Sequence, residues 1–308
     1  MAPPLLNAFI FPVRVLIIGC GYTGLHLGAE LARLGHEVFG LTRSGRADAA
    51  LRERGIRPLT ADIARRAELD GLPGPFEWVV NTVSSGGGGA GDYRRVYLEG
   101  ARHVLQWLEA AAPKKLVYTS SPSVYGQTDG SLVKESSPAE PESETGRVLA
   151  ATEQLLLEAA RSKNIPAVIL RAAGIYGPGR GRLFLQYLKG EARIAGRGEQ
   201  FINMIHRDDL ASCIAAALQS GRPGEIYNAC DDEPVTQIHF FRWLSETLGR
   251  DMPPFSGWEG AAPGKRAATN KKVSNRKLRK ELGCALCYPT FRQGYTAEIR
   301  RLQDAGEL

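Results

Sequence analysis

The chain has 308 residues, 43% of them hydrophobic and 23% charged, with a formal net charge of +6. That composition belongs to an ordinary globular protein able to bury a core, and the length suits one large α/β domain or a nucleotide domain with a smaller companion. No apolar run approaches the roughly 20 residues needed to cross a bilayer, which argues against a membrane partner.

Residues 1–12, MAPPLLNAFIFP, have neither a basic start nor a small-residue cleavage site and read as a tail before the first strand. Residues 13–19, VRVLIIG, are a continuous apolar run of the kind buried in a parallel sheet. A helix is expected from about Thr23 to Leu34, then the strand EVFGLT, a helix around 46–54 and a short strand near Pro58 to Thr60. FEWVVNTV supplies a fourth strand, followed by a helix over 92–111, the strand KLVYTS at 115–120, a helix over 145–162 and the strand AVILRA at 167–172. Helices near 207–219 and 235–248 flank the strand EIYNAC. Strand and helix alternating at this spacing predict right-handed crossovers and an α/β fold with a Rossmann-like, doubly wound parallel sheet. The glycine-rich loop SSGGGGAG at 84–91 then falls at the carboxyl end of the fourth strand, where such sheets bind ligands.

The loop Gly19–Cys20–Gly21–Tyr22–Thr23–Gly24 spells G-x-G-x-x-G between a strand and a helix. The glycines suit a tight turn, close approach of the backbone to a pyrophosphate, and close helix–strand packing. The helix that follows offers unpaired N–H groups and the positive end of its dipole to an anion. A dinucleotide is therefore the expected cofactor. An NAD site needs an acid about 20 residues after the first glycine, but that place holds Arg43, Ser44 and Arg46, with no acid before Asp48. A guanidinium binds a 2′-phosphate that a carboxylate would repel, so NADP(H) is preferred and NAD(H) is the alternative. The plainer reading of Arg43 is a surface residue at a strand end.

Three further segments, YTSSPSVYG (118–126), LRAAGIYGPGR (170–180) and INMIHRDDLASCIAAAL (202–218), together with NRKLRKELG, resemble the extended short-chain dehydrogenase/reductase superfamily of NAD-dependent epimerases and dehydratases. The resemblance runs from about Val13 to Tyr295. It implies a Rossmann domain over 13–177, completed by about 203–228, and a small, discontinuous C-terminal substrate domain of 178–202 and 229–308. It also implies that Asp62 and Ile63 lie near the adenine, that Thr82, Val83 and Ser84 lie under the cofactor, and that Ser121 is the catalytic Ser or Thr.

The family's Tyr-x-x-x-Lys pair sits on one helix face, where the cation lowers the phenol's pKa for proton exchange. Aligned on TEQLLLEA, those positions fall on Thr145 and Leu149, and none of the 10 tyrosines has a lysine four residues downstream. The glycine loop also departs from the family's G-x-x-G-x-x-G. The chain thus resembles an atypical branch, with the cofactor site kept and the usual acid missing.

Other groups remain as candidates. Ser121 could orient a substrate oxygen or simply cap a strand end, and Tyr125 is the nearest phenol, although it is usually packed in the family. Arg147, Arg180, His206 and Arg207 are candidate contacts to an anionic substrate. The plainer readings are a solvent-facing Arg147, a basic surface through Arg180, Arg182, Arg193 and Arg197, and a domain brace around His206, before a helix capped by Asp208 or Asp209.

The five cysteines, an odd number and mostly scattered, point to free thiols in a reducing cytoplasm. Cys284-x-x-Cys287 lacks a second pair to complete a zinc site and reads as ordinary packing, with a redox or metal role as the alternative; the histidines show no ligand spacing, so no metal is expected. The run 264–280 carries eight cations without acids or aromatics and reads as a solvated helix face in preference to a nucleic-acid surface, with a middle reading in which one or two of these cations face a phosphorylated small molecule.

Two functions fit. One is an NADP(H)-dependent oxidoreductase or epimerase of a nucleotide sugar or other phosphorylated small molecule, with room for a homodimer. The other is a non-catalytic NADP(H)-binding sensor.

Overall fold

The structure is a computed structural model that describes residues 11–86, 89–162, 164–256 and 269–308. Most of the tail at 1–12, part of the loop at 84–91, and Lys265 and Arg266 of the basic run lie outside the described residues. Seven strands form one sheet: β1 (Arg14–Ile18), β2 (Glu37–Thr42), β3 (Arg57–Thr60), β4 (Trp78–Asn81), β5 (Lys115–Ser120), β6 (Ala167–Ala172) and β7 (Ile226–Ala229). The helices used below are α1 (Tyr22–Arg33), α2 (Gly100–Leu108), α3 (Glu144–Ser162), α4 (Arg207–Ser220), α5 (Gln237–Leu248) and α6 (Phe291–Asp304).

The sheet order is β7-β6-β5-β4-β1-β2-β3, and every pairing is parallel. The chain winds outward from β1 through β2 and β3, then restarts on the other side of β1 with β4. The helices that follow β1 and β4 therefore pack on opposite faces of the sheet, which makes their carboxyl ends the switch point where such sheets form a ligand crevice.

Alternate residues of each strand enter opposite cores. Val15, Ile17, Val80, Val117, Val168 and Leu170 pack under Leu27 and Leu31 of α1 and Leu210, Ile214 and Leu218 of α4. Leu16, Ile18, Val79, Leu116 and Ile169 face Val104, Leu105 and Leu108 of α2 and Leu156 and Ala159 of α3. Burial on both faces is why these strands read as unbroken apolar runs instead of alternating ones.

A third, smaller core gathers Phe184, Ile194, Phe240, Phe241, Leu244, Phe291, Tyr295 and Ile299 from the segments after β6 and β7. Each such side chain contributes about 1.5–3 kcal/mol on burial.

Two predicted helices differ in detail. The one at 46–54 is a 3₁₀ turn, Gly45–Ala47, followed by Asp48–Arg52. The one at 92–111 comprises Ala90–Tyr93, a π-helical stretch Arg94–Glu99, and α2. Helix α6 has no counterpart in the sequence reading, although its capping box, Thr290 with Gln293, is visible in PTFRQ.

Candidate functional site

The crevice between β1 and β4 is floored by the glycine loop. Gly19 has φ of +78°, and a Cβ there would stand 2.7 Å from the backbone of Val83, so the turn accepts only glycine. Thr82 ties the two loops together by donating its hydroxyl to the Gly19 carbonyl at 3.0 Å. Gly21 is different. Its φ is not positive, and a Cβ would meet nothing nearer than the Gly19 carbonyl oxygen at 3.9 Å. Packing within the chain therefore does not require glycine there, and the open cradle above Gly21 fits a pyrophosphate approaching the backbone. No side chain caps α1 and no acid stands in its first turn, so its N–H groups and dipole remain available to an anion. Cys20 between the glycines is packing: burial pushes its thiol up to about 12, leaving it neutral.

At the end of β2, Arg43, Ser44 and Arg46 are all exposed, and the Thr42 hydroxyl donates to the Ser44 carbonyl at 2.8 Å. The first carboxylate beyond β2, Asp48, lies 3.7 Å from Arg52. Asp62 accepts from the Ala64 amide at 3.0 Å and from Arg95 at 3.2 Å, while Ile63 is buried against Gly100. Ser84 and Ser85 leave β4 beside the phenol of Tyr97 in the π-helical turn. Burial, then Tyr93, raises the pKa of that phenol.

Ser121 caps the 3₁₀ turn Pro122–Val124 by accepting from the Ser123 amide at 3.2 Å, and its own proton has no acceptor among the described residues. The start of α3 presses on this turn, since a Cβ on Gly146 would lie 2.9 Å from the Ser123 carbonyl oxygen. Of the two aligned positions, Thr145 is half-buried and Leu149 is buried in an apolar cluster with Val124, Tyr125 and Val273. Arg147 points to solvent.

Tyr125 is fully enclosed: its hydroxyl donates to Asn228 at 2.9 Å and its ring lies under the Arg171 guanidinium at 4.7 Å. Burial raises its pKa. Sequence reasoning missed the group behind it. Glu153 on α3 binds Arg171 on β6 by two prongs, 2.6 and 3.0 Å, and accepts from Ser120 at 2.5 Å. A glutamate on the sheet-facing side of a helix, opposite an arginine in a buried strand, was the available signal.

On the other side of the crevice, Tyr22 donates to the Pro178 carbonyl at 3.1 Å. The guanidiniums of Arg180 and Arg207 lie 4.9 and 5.2 Å from its ring centre. Burial pushes the Tyr22 phenol up to about 12 despite those two cations. His26, one turn further along α1, reaches Asp208 at 3.1 Å.

His206 is buried between Tyr176 and Tyr288, with ring centres at 5.2 and 3.9 Å. It also caps α4, accepting from the Asp208 amide at 3.2 Å. The expected cap by Asp208 or Asp209 is corrected here: the helix begins at Arg207, which places both acids inside its first turn. Asp209 instead accepts from the amides of Cys287 and Tyr288 at 2.7 and 3.0 Å. Burial takes His206 down to about 4 and Asp209 up to about 6.

The basic run is not a uniformly solvated face. Lys277 pairs with Glu225, Arg279 lies 3.2 Å from Asp232, and Lys271 is buried. Among the described residues no group of His, Cys, Asp or Glu could hold a metal ion, and no helix is long and apolar enough to cross a membrane.

Comparison with known proteins gives three kinds of match. The model of the NAD dependent epimerase/dehydratase family matches residues 15–230. Protein YeeZ of Escherichia coli (strain K12) is 30% identical over 286 residues, covering 90% of this chain and 96% of YeeZ. A functionally unknown conserved protein from Silicibacter pomeroyi DSS superposes with a TM-score of 0.78 at 29% identity, over 94% of this chain and 99% of that one. DesIV, a dTDP-glucose 4,6-dehydratase from Streptomyces venezuelae solved with NAD, has a TM-score of 0.78 at 22% identity, over 94% and 97% of the two chains, and shows the shared fold.

Proposed function

The chain belongs to the NAD dependent epimerase/dehydratase family, and on that premise we propose that it is an NADP(H)-dependent oxidoreductase or epimerase acting on a nucleotide sugar or another phosphorylated small molecule. The carrying observation is the crevice floor: Gly21 leaves an open cradle that internal packing does not require, and the end of β2 presents Arg43 and Arg46 with no acid beside them.

When bound, the dinucleotide supplies or accepts a hydride. The loop Gly19–Gly24 and the N-terminus of α1 hold its pyrophosphate, Arg43 and Arg46 meet the 2′-phosphate, and Thr82, Val83 and Ser84 line the floor beneath it. Ser121, whose proton has no acceptor among the described residues, orients a substrate oxygen, and Arg180 and Arg207 beside Tyr22 receive the anionic part of the substrate. In this reading the usual Tyr-x-x-x-Lys pair is absent. Its loss lowers the rate by about 10²–10⁴-fold without abolishing hydride transfer, because orientation supplies much of the acceleration.

One observation favours a second reading, a non-catalytic NADP(H)-binding sensor. Leu149 is packed into an apolar cluster at an aligned catalytic position, as a helix relieved of acid–base work would allow. Fluorescence titration with NADPH and, separately, NADH tests the common premise. Tight, NADPH-selective binding is expected, and binding of neither would overturn both readings.

A further inference from the structure

Two cationic side chains are buried among the described residues, Arg171 and Lys271, and they are treated differently. Arg171 has its own carboxylate, Glu153, at 2.6 Å. Lys271, only 6% exposed, has none among the described residues. Its ammonium donates to the Tyr125 carbonyl and the Thr269 hydroxyl, each at 2.8 Å, and both acceptors are neutral. The third N–H finds no acceptor among the described residues. Burial takes the amine down to about 8. A methionine would fill the same space without that cost, so packing gives no reason for a lysine here.

The backbone around this lysine is held on both sides. Asn203 donates to the Lys271 carbonyl at 2.9 Å and accepts from the Val273 amide at 2.8 Å. Asn270 exchanges backbone hydrogen bonds with Gln127 and Gly130, both at 2.9 Å. The result places the amine at the carboxyl edge of the sheet, against the turn that Ser121 begins and Tyr125 ends. Val273, two residues on and on the same strand face, packs with Val124 and Leu149. The lysine therefore stands where the second half of the chain meets the Ser121 turn, on the ligand-binding edge of such a sheet.

We propose that Lys271 is a substrate-binding residue, whose ammonium takes an oxyanion of the small molecule, carboxylate or phosphoryl, against the turn 121–125. This rests on the reading above that the chain acts on an anionic small molecule. The bound oxyanion supplies the counter-charge that none of the described residues provides.

Limiting acetic anhydride, with peptide mapping by mass spectrometry, tests it on the NADPH-saturated protein. Lys271 is expected to be acetylated in the folded chain, with labelling suppressed about tenfold by inorganic phosphate or by D-glucuronate near ten times its dissociation constant. The exposed Lys189 and Lys280 should not respond. Protection by phosphate alone identifies a phosphoryl group, and by glucuronate alone a carboxylate. Labelling of Lys271 only in urea, or labelling indifferent to both anions, overturns the proposal. Lys271→Met gives a second readout: the rise in melting temperature produced by the protecting anion should vanish in the variant, whereas a purely structural lysine would leave it intact. The labelling is decisive without NADPH too, so a chain that binds no NADPH overturns the cofactor reading separately.

Discussion

Glu153 and Arg171 form a two-pronged ion pair in the interior, joining α3 to β6 beneath the Ser121 turn, with contacts of 2.6 and 3.0 Å. Ser120 donates to the same carboxylate, and the guanidinium covers the ring of Tyr125. The pair thus fixes the helix that borders the candidate site to the strand that leads into the second half.

Breaking that pair should destabilise the fold strongly, because it leaves a buried charge without its partner. Glu153→Gln is expected to cost about 3–5 kcal/mol in urea denaturation. A loss below about 1 kcal/mol would mean that the site is wetter than the packing indicates.

The glycine loop offers a paired test. Gly21→Ala adds a Cβ where the free chain has room, so it should cost less stability than the same change at Gly19. Dinucleotide affinity should nevertheless fall, because the methyl fills the cradle. Gly19→Ala, at a positive φ and against Val83, should lose more than about 1 kcal/mol of stability. Equal affinity of the Gly21→Ala variant and the parent for NADPH would place the pyrophosphate elsewhere.

Arg43 should discriminate between the two dinucleotides. Arg43→Asp is expected to weaken NADPH about tenfold or more, by removing a charge-assisted contact and adding repulsion, while NADH changes little. Parallel losses for both cofactors would remove the 2′-phosphate assignment.

His206 predicts a pH dependence. Its pKa falls from 6.5 to about 4 on folding, so between those values the unfolded chain binds more protons. Its contribution is therefore present above pH 6.5 and lost as pH falls toward 4, in total about 3 kcal/mol. Asp209 acts with the opposite sign, since its raised pKa favours the folded chain below 3.8 and that benefit disappears as pH rises through about 6. Comparing the parent with His206→Asn cancels the Asp209 contribution. The stability difference between the two should shrink steadily from pH 7 to pH 4.5, and a constant difference would refute a buried neutral imidazole.

What the sequence determined by itself was local and periodic. Strands Glu37–Thr42, Lys115–Ser120 and Ala167–Ala172 lie where their apolar runs place them, because a parallel strand buried on both faces carries its environment in its own residues. The glycine loop was legible for a similar reason: its turn, helix start and spacing lie within six consecutive residues.

Tertiary structure decided the pairings between distant residues. Glu153 meets Arg171 across 18 positions, Tyr22 meets Pro178 across 156, and Lys271 meets Tyr125 across 146. No periodicity encodes such separations. They follow from which helix faces and strand ends the winding of the sheet brings to one edge. That is why the sequence could not single out Lys271 among the eight cations of its run, and why His206 became a buried cap only once Tyr176 and Tyr288 closed around it.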